Sequence, residues 1–90
     1  MDLNDFFETI VDDPRIGLAH IALYIVIKSE LELLPGIDLL ELDRQRIMRK
    51  AKLNARSTYD KTMRDLHDFG YVLYERGRGN RKGTVRLKRL

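Results

Sequence analysis

The chain has 90 residues, a net charge of +3, and neither cysteine nor tryptophan. That length fits one domain able to bury a core, and the lack of cysteine excludes disulfides, Cys-based zinc sites and thiol chemistry. A hydrophobic content of 43% is too high for a disordered chain, and the longest apolar run, Ile21 to Ile27, is far too short to span a membrane.

No basic stretch leads into an apolar segment at the N-terminus, so no signal peptide is expected and a cytoplasmic location follows. Two histidines far apart, His20 and His67, argue against a His-only metal site. The small net charge hides a large asymmetry. Met1 to Asp43 carries ten acidic residues against two basic ones, net −8; Arg44 to Leu90 carries fifteen basic against four acidic, net +11. A C-terminal half so basic is the footprint of a surface that meets phosphate.

Leu3, Phe6, Phe7, Ile10 and Val11 follow i, i+3, i+4, i+7, i+8 spacing, one stripe of an amphipathic helix. Asp2 is placed to cap it, and Asp12-Asp13-Pro14 ends it. A second helix is predicted from between Pro14 and Leu18 to about Leu34, stopped by Pro35-Gly36. Its middle, Ile21 to Ile27, is apolar on every side and must be covered on every side, by the first helix or by a second subunit. A homodimer through the N-terminal helices is therefore expected. Ile37 to Leu42 reads as a short strand or an extended connector.

Asp43 sits where an N-cap belongs, and Arg44 to Lys52 reads as a third helix with Ile47, Met48 and Ala51 inward. Leu53-Asn54-Ala55-Arg56 breaks the pattern, with Asn54 suited to a left-handed turn. Ser57 is the next expected N-cap. Tyr59, Met63 and Leu66 form the core stripe of a helix ending near Phe69, with Gly70 at its C-terminal cap. Tyr71 to Arg76 and Thr84 to Leu90 read as two strands of a hairpin, joined by the basic, glycine-rich loop Gly77 to Gly83. Val85 and Leu87 would face inward, Arg86 and Lys88 outward.

This order, helix, helix, turn, helix, hairpin, is the layout of a winged helix-turn-helix. Ser57-Thr58-Tyr59-Asp60-Lys61-Thr62-Met63-Arg64-Asp65-Leu66-His67-Asp68-Phe69-Gly70-Tyr71-Val72 resembles bacterial winged-helix DNA-binding proteins in its cap, apolar spacing, glycine and apolar pair entering the wing. Asp13-Pro14-Arg15-Ile16, His20-Ile21-Ala22-Leu23-Tyr24, Arg46-Ile47-Met48, Thr58-Tyr59 and Gly70-Tyr71 are similar to short winged-helix regulators carried on mobile elements of gut anaerobes. The resemblance implies a mainly α domain with a small β-hairpin. Its core is 16–90, preceded by a helical extension, 1–13.

In such a motif the second helix enters the major groove with its N-terminal residues on base edges. Opposite the Tyr59, Met63 and Leu66 face lie Ser57, Lys61 and Arg64. Arg56, Ser57, Thr58 and Lys61 are thus the candidates for base contact, and Arg64 for base or phosphate. Arg44, Arg46, Arg49, Lys50 and Lys52 on the preceding helix, and Arg76, Arg78, Arg81 and Lys82 in the wing, suit phosphate clamping. The wing reads as a flexible tip that orders on DNA.

His20 reads as a packed or capping histidine, His67 as a cation suiting a helix C-terminus. Asp12, Asp13, Glu30 and Glu32 read as caps and solvated surface, since no nucleophile, base or phosphate loop accompanies them. No enzyme activity, cofactor, metal, membrane contact or small-molecule ligand is expected. The function expected is sequence-specific binding of double-stranded DNA by a small transcriptional regulator. An excisionase-like architectural factor or a protein–protein interaction module are the alternatives.

Overall fold

In the computed structural model, which describes residues 2–88, Leu3, Phe6 and Ile10 turn inward on α1 (Leu3–Ile10). Asp2 caps this helix, its carboxylate accepting from the Asp5 N–H at 2.9 Å. The second helix, α2 (Leu18–Glu32), has glycine at its N-cap and no cap side chain there. His20 compensates by turning back: its Nδ1 accepts from the Gly17 N–H at 3.0 Å. Asp43 caps α3 (Arg44–Ala51) as expected, accepting from the Arg46 N–H at 3.2 Å.

The turn into α4 (Arg56–Asp68) departs from expectation twice. Lys52, not Asn54, takes the left-handed conformation, with φ of +60°. The Leu53 N–H then reaches back to the Met48 carbonyl at 3.0 Å, the closure of a Schellman helix end, and Leu53 is buried. Pinned in this way, the chain begins α4 early. Ala55, not Ser57, is the N-cap, and its carbonyl accepts from the Tyr59 N–H at 3.1 Å. Tyr59, Met63 and Leu66 are all buried, as their spacing requires.

The hairpin is shorter than expected and gains a partner. β2 (Val72–Glu75) pairs antiparallel with β3 (Thr84–Leu87), with Tyr74 opposite Val85. Arg89 and Leu90, expected to extend the second strand, lie outside the described residues. β1 (Leu40–Glu41) pairs with the other edge of β3, with Leu40 opposite Val85, so the sheet order is β1-β3-β2. The stretch before α3 is thus a strand rather than a connector. Four helices with a small three-stranded sheet have the topology of a winged helix with one added N-terminal helix.

The tip of the wing is closed by backbone hydrogen bonds. Arg78 and Arg81 exchange both backbone hydrogen bonds, at 3.1 and 2.9 Å. Gly79, with φ of +57°, occupies the first central position, where a type II′ hairpin turn places glycine. Gly77 sits against the returning strand. A Cβ there would lie 2.5 Å from the Arg81 carbonyl oxygen and 2.7 Å from the Gly83 nitrogen. Any side chain would force the wing open.

The apolar middle of α2 is covered largely within the chain: Leu23, Tyr24, Val26 and Ile27 are buried, while Ile21, Ala22 and Ile25 are half-buried. The Phe6 ring stacks on Tyr24 at 3.7 Å and 7°, and meets Tyr71 edge-on at 5.8 Å. All three rings are buried. Burying a side chain of this size contributes about 1.5–3 kcal/mol. Asp13 then fastens the connection, although it read as a helix stop and solvated surface. Its side chain is only 10% exposed. It accepts from the Tyr71 hydroxyl at 2.6 Å and takes a two-pronged ion pair from Arg15 at 2.8 and 2.9 Å. The Arg15 guanidinium lies 4.2 Å from the centre of the Phe69 ring.

Candidate nucleic-acid interface

The starts of α3 and α4 and the base of the wing meet around one open groove of about 540 Å³. Arg44 comes from the first turn of α3, Arg56 from the first turn of α4, and Arg76, Arg81 and Lys82 from the wing. Five cations face two carboxylates, Asp43 and Asp60. A second concavity of about 360 Å³ lies along the wing between Glu75, Arg76, Arg78, Arg81, Lys82 and Thr84. Arg78 and Arg81 are cross-strand partners at its tip. Like charges directly opposite each other are destabilising, so this pair suits an external anion better than it suits the isolated hairpin.

The N-terminus of α4 opens with an alanine cap and no side-chain hydrogen bond. The N–H groups of a helix's first turn lack partners inside the helix, and the helix dipole favours an anion beside them. Ser57 and Thr58 are exposed in this first turn. Arg64 is exposed about two turns further on, where it shares a concavity with Asp60, Tyr74 and Arg76. It has no ion-pair partner among the described residues.

Other candidates are held differently. Lys61 is exposed, but its ammonium sits 2.9 Å from Asp65. Asp65 is shared: His20, with Nδ1 accepting from Gly17, places its ring proton on Nε2 and donates it to Asp65 at 2.9 Å. The two partners, His20 first and then Lys61, hold the Asp65 carboxyl below its usual range. Arg46 and Lys50 do not join the groove. Both turn to α2, where Glu30 accepts from Arg46 Nε at 3.0 Å and Lys50 Nζ at 2.7 Å. Glu30 is buried, contrary to its reading as solvated surface. A carboxylate leaving water needs a charged partner, and these two cations fill that role. Arg49 and Lys52 are exposed on and just after α3.

His67 also departs from expectation. Its Nδ1 accepts the Tyr74 N–H at 3.0 Å. The ring lies in the last turn of α4, as expected, but spends this nitrogen on a strand rather than on the helix end. It caps a backbone donor of β2, the edge strand of the sheet.

Three residues of the groove were not singled out from the sequence: Gln45, Asp60 and Tyr74. Gln45 follows Arg44 in the first turn of α3, so its position was readable once that helix was placed. Tyr74 and Asp60 reach the groove only because β2 packs beside α4. Among the described residues, no group of three or more His, Asp or Glu could hold a metal ion. No helix among them is long and apolar enough to cross a membrane. No protein-family model matches the chain, and no curated protein or solved structure matches it significantly.

The depressed carboxylates make stability pH-dependent. Arg15 first, then the Tyr71 hydroxyl, hold Asp13 well below the usual carboxylate range, and Lys50 followed by Arg46 lowers Glu30. A carboxylate more acidic in the folded than the unfolded state stabilises the fold above its unfolded value of about 4. That contribution is lost as pH falls through the folded values. The melting temperature should hold from neutral pH to about pH 4 and drop below it. Asp13→Asn should lower it at neutral pH and flatten the acid limb. An Asp13→Asn profile parallel to the parent's at every pH would show that this carboxylate does not carry the effect.

Proposed function

We propose that the protein binds double-stranded DNA sequence-specifically, as a small bacterial transcriptional regulator acting in the cytoplasm on the nucleoid. It inserts α4 into the major groove and lays the wing along the backbone or minor groove. The observation carrying this reading is the groove in which the starts of α3 and α4 and the closed wing place five cations around one concavity. Phosphate contacts from Arg44, Arg76, Arg81 and Lys82 would fix position, while Arg56, Ser57, Thr58, Lys61 and Arg64 face the bases. A protein–protein module would need apolar grip on this face, and the groove offers charge instead. No catalytic step is part of the proposal.

Assembly as a homodimer belongs to the same proposal, on a narrower basis than the sequence suggested. Since α1 covers its own core, the large apolar groups left exposed from α1 to the start of α2 are Phe7, Val11 and Leu18 among the described residues. Joined there, two copies would set their α4 helices for half-sites about 34 Å apart, one turn of DNA.

The test is a selection of bound sites from random duplexes, followed by titration of Arg64→Ala and Lys61→Ala. Arg64 has no ion-pair partner to leave among the described residues, so its removal should cost about 1–3 kcal/mol at the selected site and relax one base position. Lys61 must first leave Asp65, and its removal should cost less. Both variants should melt like the parent. Unchanged affinity and unchanged base preference in both would remove α4 from the interface.

A further inference from the structure

Asp60 is the anomaly of the groove. Its side chain is 41% exposed, on the α4 face that looks toward the wing, where it lines the concavity with Arg64, Tyr74 and Arg76. The groove's other carboxylate, Asp43, has a structural task as the cap of α3. Asp60 has none. Its single ion pair among the described residues is with Arg56, at 3.7 Å, too long for a hydrogen bond. Arg56 and Arg64 stand one turn before and after it, so a carboxylate with open lone pairs sits between two guanidiniums that face outward.

A surface built only to hold DNA backbone gains nothing from an anion at this point. The negative charge repels phosphate there, which weakens binding to every sequence alike. A carboxylate does have one favourable partner in the major groove, the exocyclic amino group of cytosine, which donates to Asp or Glu. Specificity is a difference between affinities, and a repulsive element against wrong partners raises it as well as an attractive one for the right partner.

We infer that Asp60 is a specificity determinant: it excludes phosphate from the centre of the groove and accepts a hydrogen bond from a cytosine amino group between the bases met by Arg56 and Arg64. This rests on the DNA-binding reading and adds to it a base identity at one position. It also assigns opposite signs to two neighbouring kinds of substitution. Losing Arg64 weakens binding, whereas losing the Asp60 charge strengthens binding to random DNA.

The experiment repeats the random-duplex selection with the parent, Asp60→Asn and Asp60→Ala, each checked for a parental melting curve, and titrates each against selected and random duplexes. Asp60→Asn should bind random duplex at least threefold more tightly than the parent. It should change the preferred base at one position from cytosine to adenine, because a carboxamide pairs with adenine N6 and N7. Asp60→Ala should also bind random duplex more tightly and lose preference at that position, with the ratio of selected to random affinity falling about tenfold. If the parent selects a site and both variants select the same site with the same ratio, Asp60 is not a determinant and the DNA reading stands without it. If the parent binds no duplex at low salt, about 50 mM, the DNA-binding proposal fails and this inference falls with it.

Discussion

Replacing Phe6 by alanine should destabilise the domain by about 3–5 kcal/mol, the cost of truncating a buried aromatic ring. Phe6 is fully buried between two other aromatic rings, stacked on one and edge-on to the other. Domains are stable by only about 5–15 kcal/mol, so the loss should remove a large share of the total. Urea denaturation measures it directly. Phe7→Ala is the control: the adjacent ring is 43% exposed, and its loss should cost far less. If the two variants unfold alike, α1 is an appendage rather than part of the core, and the cover of α2 must come from elsewhere.

The second large effect concerns the wing. Changing Arg78, Arg81 and Lys82 together to alanine should lower the slope of log affinity against log salt by about 2–3, since each neutralised phosphate contributes about 0.9. Selected and random duplexes should lose affinity about equally, because backbone contacts carry no sequence information. The fold should not suffer. Arg78 and Arg81 oppose each other across the turn, and relieving such repulsion should leave stability equal or slightly higher. The turn is held by backbone hydrogen bonds that the substitutions keep. A triple variant with the parental salt slope would mean that the wing stays clear of the backbone.

Residues whose neighbours are close in sequence were legible in advance. Tyr59, Met63 and Leu66 announce their buried face by spacing alone, and Asp43 announces a helix start. What escaped was set by partners far along the chain. A carboxylate looks the same in sequence whether it faces water or is buried against a partner. Glu30 meets Arg46 across sixteen residues and Asp13 meets Tyr71 across fifty-eight. β1 is two residues long and exists only because β3 arrives beside it. The basic candidates divide for the same reason. Arg44 and Arg46 are two positions apart on one helix, yet one faces the groove and the other faces Glu30. The charge asymmetry located the basic half of the chain and was silent about which cations are already engaged.

The bond between Asp13 and Tyr71 has a consequence for the order in which the protein is made. Domains fold as their chain emerges from the N-terminus. Phe6 and Tyr24 are available to each other early, but the third ring and the hydroxyl that fasten the connection arrive forty-seven residues after Tyr24. Until Tyr71 leaves the ribosome, Asp13 lacks its hydroxyl donor, and Arg15 lacks the Phe69 ring on which it lies. Helix α1 is made before the rest of this domain yet is among the last parts to be secured, and it locks at the point where α4 gives way to β2. The nascent chain has its acidic half outside the ribosome before its basic half has formed a groove.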